Sequence, residues 1–576
     1  MLLNRFIKPF WVSILIIIVL TLGQVIADLL LPNFMADIVD NGIVQGDTSF
    51  ILNTGVRMLA VAFAGIFCAI SAGFFASRVA LSVGRNMREA VFKHTSGFSL
   101  AEFDQIGTSS LITRTTNDVQ QIQQVTFMVL RMMMRAPIMC LGGVVMAVQK
   151  DGNLSLLLLA ILPFIAVIIY LIMVKAMPLF RTVQIKIDQL NLVIRETLIG
   201  IRIIRAFSRI GFYKKKFASA NKDLTDTSIK ANRTMAILNP SMNLCMNLLT
   251  IAIVFFASLR IDKGDLMVGD TMAFIQYATQ IFMSLTMMTM MFVMLPRAFA
   301  SGERIREVLN LHSDIVDAKY PQEPDIEQQG ATIEFSNVSF RFNNAENCAI
   351  QNVSFCAKPG ETLAIIGGTG AGKSSLLNLI PRYYDVESGS ITINGIDIRN
   401  VKQYYLRELI GMVPQKITVF SGTINENIRM GKRNATKEQI EEACKIAQAD
   451  EFINHLPEKY NTEIAQGGTN LSGGQKQRLS IARAIVKKPM IYLFDDSFSA
   501  LDFKTDAKVR EALAKETKHS TVIIVAQRIS SIMNADKILV MDNGKIVGEG
   551  THRELLKTNE VYQEIAASQL SEKELM

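Results

Sequence analysis

Long stretches without charge dominate the first 300 residues, and they constrain this chain more than any other feature. A hydrocarbon core needs roughly 20 apolar residues per spanning helix. Residues 58–77, 153–174, 236–259 and 271–296 each supply such a run without one charged side chain. Residues 12–32 supply another, with Asp28 as its single acid. The doubtful run is 126–149, which Arg131 and Arg135 interrupt. Charge asymmetry decides it. The loop 178–235 carries twelve Lys/Arg against four Asp/Glu, whereas the loop 33–50 carries Asp37, Asp40 and Asp47 and no base. Basic loops stay inside. With 126–149 counted, six spans put the basic loop and both termini on the cytosolic side of the inner membrane. Without it, the C-terminal domain falls on the wrong side.

The rest of the composition agrees. The net charge of +8 is explained by basic loops beside apolar spans, so nucleic acid is not an expected partner. Mean hydropathy is +0.27, high for a soluble chain and low for one that is all membrane. Six scattered cysteines form no C-x-x-C pair, which argues against a zinc site or a disulfide framework. The opening "MLLNRFIKPFW" reads as a basic interfacial helix and not as a cleaved signal. The inner connections, about 78–125 and 176–235, read as polar helix that continues past the bilayer as a stalk. Pro321 and Pro324 mark a boundary. The expected division is a membrane domain over 1–310, a linker over 311–330 and a globular domain over 331–576.

The globular part holds the chemistry. "LAIIGGTGAGKSS", residues 363–375, places Gly367, Gly368, Thr369, Gly370, Ala371, Gly372, Lys373, Ser374 and Ser375 between a strand pattern and a helix pattern. This is G-x-x-x-x-G-K-[ST] in its required context. The glycines let backbone N–H groups curl into an anion nest, and the helix N-terminus adds its positive end. Lys373 is expected to reach terminal phosphates and Ser374 to ligate Mg²⁺. In "IYLFDDSFSALD", residues 491–502, a buried strand delivers Asp495 to the same metal. The expected cofactors are ATP and Mg²⁺.

Between these motifs lie "VPQ" at 413–415 and "LSGGQKQR" at 471–478, and "SALD" follows the second aspartate. In this order they resemble the ATP-binding cassette (ABC) proteins. Six spans fused ahead of one cassette resemble the half-transporters of the ABC exporter class, and the likeness extends to "FSGTINENI" (420–428) and "ETLIGIRIIRAF" (196–207). The fold implied is a six-helix membrane domain with long cytosolic extensions, followed by an α/β P-loop domain. The resemblance implies that Phe342 stacks on adenine where the family usually has Tyr. It implies that Gln415 contacts Mg²⁺ and the stalk. Leu471, Ser472, Gly473, Gly474 and Gln475 would cap an ATP held by a second subunit. Ser499, Ala500, Leu501 and Asp502 would form the D-loop.

Two positions depart from the family pattern. Asp496 stands where the family has a water-polarising Glu, and Gln527, in "VAQR", stands where it has His. A lost methylene draws the carboxylate back by about 1.5 Å, and roughly 1 Å of misplacement can cost on the order of 10²-fold in rate. Gln can hydrogen-bond a phosphate but cannot carry imidazole's charge. Together they imply a degenerate site that binds ATP and turns it over slowly. The implied partner is a second half-transporter with the consensus Glu and His, forming a heterodimer in which this chain's signature completes the fast site.

The substrate expectation rests on the membrane half. Met283, Met287, Met288, Met290, Met291 and Met294 suit either a polyspecific surface or plain helix packing. Asp28 fits a cationic substrate or a position near the outer surface. Arg131 and Arg135 fit a substrate path, or a helix leaving the inner face. The leading expectation is multidrug-type export of amphipathic small molecules, in contact with membrane lipid. A lipid or peptide exporter and an ATP-gated regulatory protein are the alternatives.

Overall fold

The structure is a computed structural model describing residues 2–324, 330–343 and 345–569; for residues 2–4 and 289–293 it describes the backbone only. Two compact units emerge. One comprises Met1–Ser96 and Ser109–Asn310, the other Gly97–Thr108 and Leu311–Met576. Part of the expected linker, residues 325–329, lies outside the described residues.

The first unit is all helix. Five helical runs among the described residues are long and apolar enough to cross a membrane: Arg5–Ile43, Thr48–Thr95, Thr108–Lys150, Gly152–Ile199 and Ile210–Asp262. Each contains one expected span, including the doubtful 126–149. The sixth expected span, 271–296, falls within the helix Val268–Asn310. Met283 and Met294 are exposed on that helix, whereas the side chains of Met290 and Met291 lie outside the described residues. Outward-facing positions are apolar, among them Leu15, Val19, Phe63, Phe67 and Phe164. In water such exposure costs about 25 cal/mol per Å²; against lipid tails it costs nothing.

The helix Gly152–Ile199 has 48 residues, a rise of about 72 Å, more than twice a hydrocarbon core. Its far half therefore extends beyond one hydrocarbon thickness, and it carries Arg181, Lys186, Asp188, Arg195 and Glu196. Lys186 pairs with Asp223 at 3.4 Å and Lys216 with Glu196 at 2.8 Å, holding it to the helix Ile210–Ala236.

The second unit is α/β. A four-stranded antiparallel sheet has the order β2-β1-β4-β5, from Ile350–Ala357, Ile333–Phe340, Ser388–Ile393 and Ile396–Asp397. A six-stranded sheet has the order β12-β11-β3-β10-β9-β6. Its strands are β3 Thr362–Gly367, β6 Ile410–Val413, β9 Ile491–Asp495, β10 Thr521–Val525, β11 Lys537–Asp542 and β12 Lys545–Gly550. The ribbon β7 (Gly422–Thr423) and β8 (Glu463–Ile464) stands apart. In the six-stranded sheet β12 alone runs antiparallel. A parallel sheet covered on both faces needs uninterrupted apolar strands, and β9, "IYLFD", is buried at every position. Leu363, Ile365, Leu493 and Ile523 pack on one core, while Tyr492 and Phe494 pack on another with Leu479 and Ile485.

The segment 97–108 contributes the helix Leu100–Ile106 to this second unit. Ser99 and Glu102 form a reciprocal capping box at its start, and Gly107, at φ 81°, ends it. Tyr384 Oη donates to Asp104 Oδ2 at 2.9 Å.

Candidate functional site

The register of three strands assembles the site. Val525, ending β10, pairs with Ile365 of β3 on one side and with Asp495 of β9 on the other. The loop after β3 and the carboxylate ending β9 therefore lie at one height, at the carboxyl ends of the parallel strands, where α/β sheets bind ligands. Gln527 follows two residues beyond Val525 and joins the same edge.

The loop after β3 needs its glycines. A Cβ on Gly367 would lie 2.1 Å from the Met541 carbonyl oxygen, and one on Gly372, whose φ is +95°, would lie 2.6 Å from that of Ala349. Only a residue without a side chain passes these carbonyls. Lys373 opens the helix Lys373–Leu379 and is buried. Its Nζ donates to the carbonyls of Gly367 at 2.8 Å and Gly368 at 2.7 Å. Burial pulls the ammonium below the usual lysine range, and Asp495 and Asp496 act in the opposite direction.

These residues line a cavity of about 300 Å³. Thr369, Gly370, Ala371, Gly372, Lys373, Ser374 and Ser375 form one wall. Phe342, Ala349, Gln415, Asp495, Asp496, Val525 and Gln527 complete it. Ser374 Oγ donates to Asp495 Oδ1 at 2.9 Å. A hydroxyl and a carboxylate so paired offer the hard oxygen donors that Mg²⁺ takes beside phosphate oxygens, so the residues present fit both a polyphosphate and that cation. Asp495 is buried, and burial, with the Asp496 charge adding to it, pushes its carboxyl above the usual range.

Asp496 sits at φ 47°, the left-handed region. Its N–H donates to the Val525 carbonyl at 2.9 Å. Gln527 Nε2 donates to Asp496 Oδ2 at 2.9 Å. Burial pushes this carboxyl up as well, against hydrogen bonds from Gln415 and Ser499 that favour its ionised form. The two positions singled out in the sequence are thus bonded to one another on the cavity wall.

Phe342 stands edge-on to Tyr384, with centroids 5.4 Å apart, and to Phe340 at 4.8 Å. A second cavity, of about 670 Å³, shares Phe342 and reaches Ser99 and Asp104.

Residues 471–475 do not line the nucleotide-sized cavity. Ser472 caps the helix Gly473–Ile485: its N–H donates to Gln475 Oε1 at 2.8 Å, and the Gln475 N–H donates to Ser472 Oγ at 3.3 Å. Leu471 packs against the second core. The D-loop residues link the two regions. Ser499 Oγ donates to the Asp496 carbonyl at 3.0 Å, and the Ala500 N–H donates to Gln477 Oε1 at 3.0 Å. Leu501 is buried, and Asp502 caps the helix Phe503–Glu516.

Sequence reasoning missed several members. Gln477 lies inside the quoted "LSGGQKQR", yet nothing local marked it as the D-loop's anchor. Ser497, fully buried, donates to the Val413 carbonyl at 2.8 Å and fixes the turn after Asp496. Tyr384 gave a signal only as one of two adjacent tyrosines after the P-loop helix. Ala349 and Val525 line the cavity and gave none.

Comparison with known proteins follows the same two units. A family model described as "ABC transporter transmembrane region" matches residues 14–285, and one described as "ABC transporter" matches residues 350–499. An uncharacterised ABC transporter ATP-binding protein of Mycobacterium tuberculosis is 42% identical over 99% of this chain and 98% of its own. A putative multidrug export ATP-binding/permease protein of Bacillus subtilis is 31% identical over 97% of both chains. An ATP-dependent lipid A-core flippase of Pseudomonas aeruginosa is 32% identical over 87% of this chain and 82% of its own. Among solved structures, that of a bacterial Atm1-family ABC exporter with ATP bound superposes with a TM-score of 0.80 at 27% identity, covering 99% of each chain.

Proposed function

Because the chain belongs to the ABC transporter family and joins that family's membrane region to its ATPase cassette, we propose that it is one half of a heterodimeric, ATP-driven exporter of amphipathic compounds, with a slow ATP site of its own. The observation that carries this reading is the hydrogen bond from Gln527 to Asp496. In the family pattern a Glu positions the attacking water and a His contacts the terminal phosphate. Here a shorter acid is held by an uncharged amide that is already committed to it. ATP with Mg²⁺ supplies the phosphoanhydride whose cleavage drives transport. Lys373 would aim a cation at its terminal phosphates, Ser374 and Asp495 would supply oxygen ligands to the metal, and Phe342 would offer a ring to the base. Asp496, one methylene shorter than Glu and bonded to Gln527, would hold an attacking water less favourably than the family's Glu.

The signature is complete in this chain. Ser472–Gln475 serve the partner's P-loop, where a consensus Glu and His perform the turnover. The basic loop 178–235 supports cytosolic termini in the inner membrane. Closure of the two cassettes is carried to the spans by the stalk helices. A lipid substrate is the second reading, favoured by the flippase among the relatives. The test is ATP-dependent uptake of an amphipathic dye, and in parallel of a labelled phospholipid, into inverted vesicles holding both subunits. Uptake of either that needs both chains supports the proposal. Uptake by this chain alone at the full rate contradicts it.

A further inference from the structure

The membrane unit contains a polar cluster that the cassette chemistry does not use. Arg135 Nη2 donates to Asp28 Oδ2 at 2.9 Å, joining the helices Arg135–Lys150 and Trp11–Asp37. Gln280 Nε2, from the helix Val268–Asn310, donates to the Asp28 carbonyl at 3.1 Å. One turn before Arg135, Arg131 lies in the π-helical segment Val129–Met133. Its guanidinium carbon stands 3.7 Å from where a Cβ on Gly73 would be, so it lies against the apolar run 58–77.

The charges do not balance. The one carboxylate, Asp28, is paired with Arg135, and Arg131 is left beside that pair's guanidinium. Among the described residues Arg131 has no ion-pair or hydrogen-bond partner, and the charge that acts on it is that of Arg135, of like sign. Gln24 is one turn before Asp28 and 6% exposed, and among the described residues neither its Oε1 nor the buried Oε1 of Gln280 has a hydrogen-bond partner. An uncompensated charge at membrane depth is costly and as a rule faces a partner or a path. The pair itself is reachable, with side-chain exposures of 33% for Arg135 and 27% for Asp28. A cationic ligand would have to displace a guanidinium from Asp28. An anion meets Arg131 without displacing anything.

We infer that Arg131, with Arg135 and Gln24, forms a head-group site for an amphipathic anion: a long-chain carboxylate, sulfate or phosphate monoester. A guanidinium matches such oxyanions two bonds at a time. The orphaned amide oxygens favour a head group that also donates a proton, as the P–OH of a phosphate monoester does. This inference rests on the export reading and names its substrate class.

The experiment is equilibrium binding of dodecyl phosphate to the full-length chain, purified with whatever subunit accompanies it, in phosphatidylcholine nanodiscs. Dodecyltrimethylammonium is the control. The expected result is tighter binding of the phosphate, by about tenfold or more, since charge-assisted bonds are roughly twice as strong as neutral ones. Arg131→Gln should lose that preference, and Arg131→Lys, which keeps the charge, should retain most of it. ATP photolabelling of the variants reports intact folding, and if Arg131→Gln fails to fold, Arg131→Met, which also removes the charge but keeps an apolar stem, carries the comparison and should lose the preference. Discs containing phosphatidylglycerol separate the sources. Competition by that lipid makes the bilayer the source of the anion, and its absence makes the source a free amphiphile; either outcome upholds the site. Equal binding of anion and cation, or unchanged phosphate binding in Arg131→Gln, overturns it. If binding behaves as stated but inverted vesicles fail to accumulate dodecyl phosphate with ATP, the site stands and the export reading falls.

Discussion

Gln527 Nε2 donates to Asp496 Oδ2 at 2.9 Å, across 31 residues of sequence and at the edge of the P-loop cavity. The two side chains that depart from the family pattern thus form one unit. An amide holding a retracted carboxylate neither supplies nor removes a proton, which fits a site that retains ATP. Replacing both should therefore do more than replacing either. The double variant Asp496→Glu with Gln527→His is expected to raise turnover in this chain's own site by about 10-fold or more. Single-turnover ATPase of the complex, with the partner's P-loop lysine removed, checks it. No gain in the double variant would place the slow step elsewhere.

Lys373→Ala should reduce photolabelling of this chain by an ATP analogue by about tenfold or more, because it removes the buried cation beside Gly367 and Gly368. Melting temperature should hardly change. Labelling at the wild-type level would reject the phosphate assignment.

Gly372→Ala should be worse than its size suggests. The new methyl would stand 2.6 Å from the Ala349 carbonyl, at a φ of +95°. Strain of this kind costs about 1–3 kcal/mol. A lower melting temperature together with lost nucleotide binding is expected, and unchanged binding would contradict the loop geometry.

Asp495 gives a pH prediction with a definite sign. Its carboxyl is raised in the fold by burial and by Asp496, so the folded state holds its proton more tightly than the unfolded chain. Stability from this group falls as pH rises from the ordinary carboxylate value through the raised one. Asp495→Asn should therefore raise the melting temperature of the nucleotide-free protein at neutral pH and flatten its pH dependence across that window. A destabilised Asn variant would contradict the burial argument.

The P-loop, the carboxylate after β9 and the helical spans were legible because each is a local pattern. Glycines at set intervals, an apolar run ending in an acid and a stretch of about 20 apolar residues state their physics within one element. The doubtful span 126–149 needed charge asymmetry as well as hydropathy, since Arg131 and Arg135 obscure it. What the sequence did not reveal are contacts between distant elements. Asp28 and Arg135 lie 107 residues apart, and Tyr384 and Asp104 lie 280 apart. No periodicity connects them. Gly97–Thr108, at the far end of the polar helix that follows the second span, groups with the cassette unit through the capped helix it forms.

The central claim is that the two ATP sites of the dimer are unequal, and steady-state ATPase of the purified two-subunit complex tests it most directly. This chain's Asp496→Asn should leave most of the activity, because the slow site contributes little. Ser472→Arg in this chain should abolish it, because that blocks the fast site. Replacing the partner's consensus Glu with Gln should lower it by about 10²-fold or more. If Asp496→Asn is as damaging as the partner's Glu→Gln, the two sites are equivalent and the account is wrong.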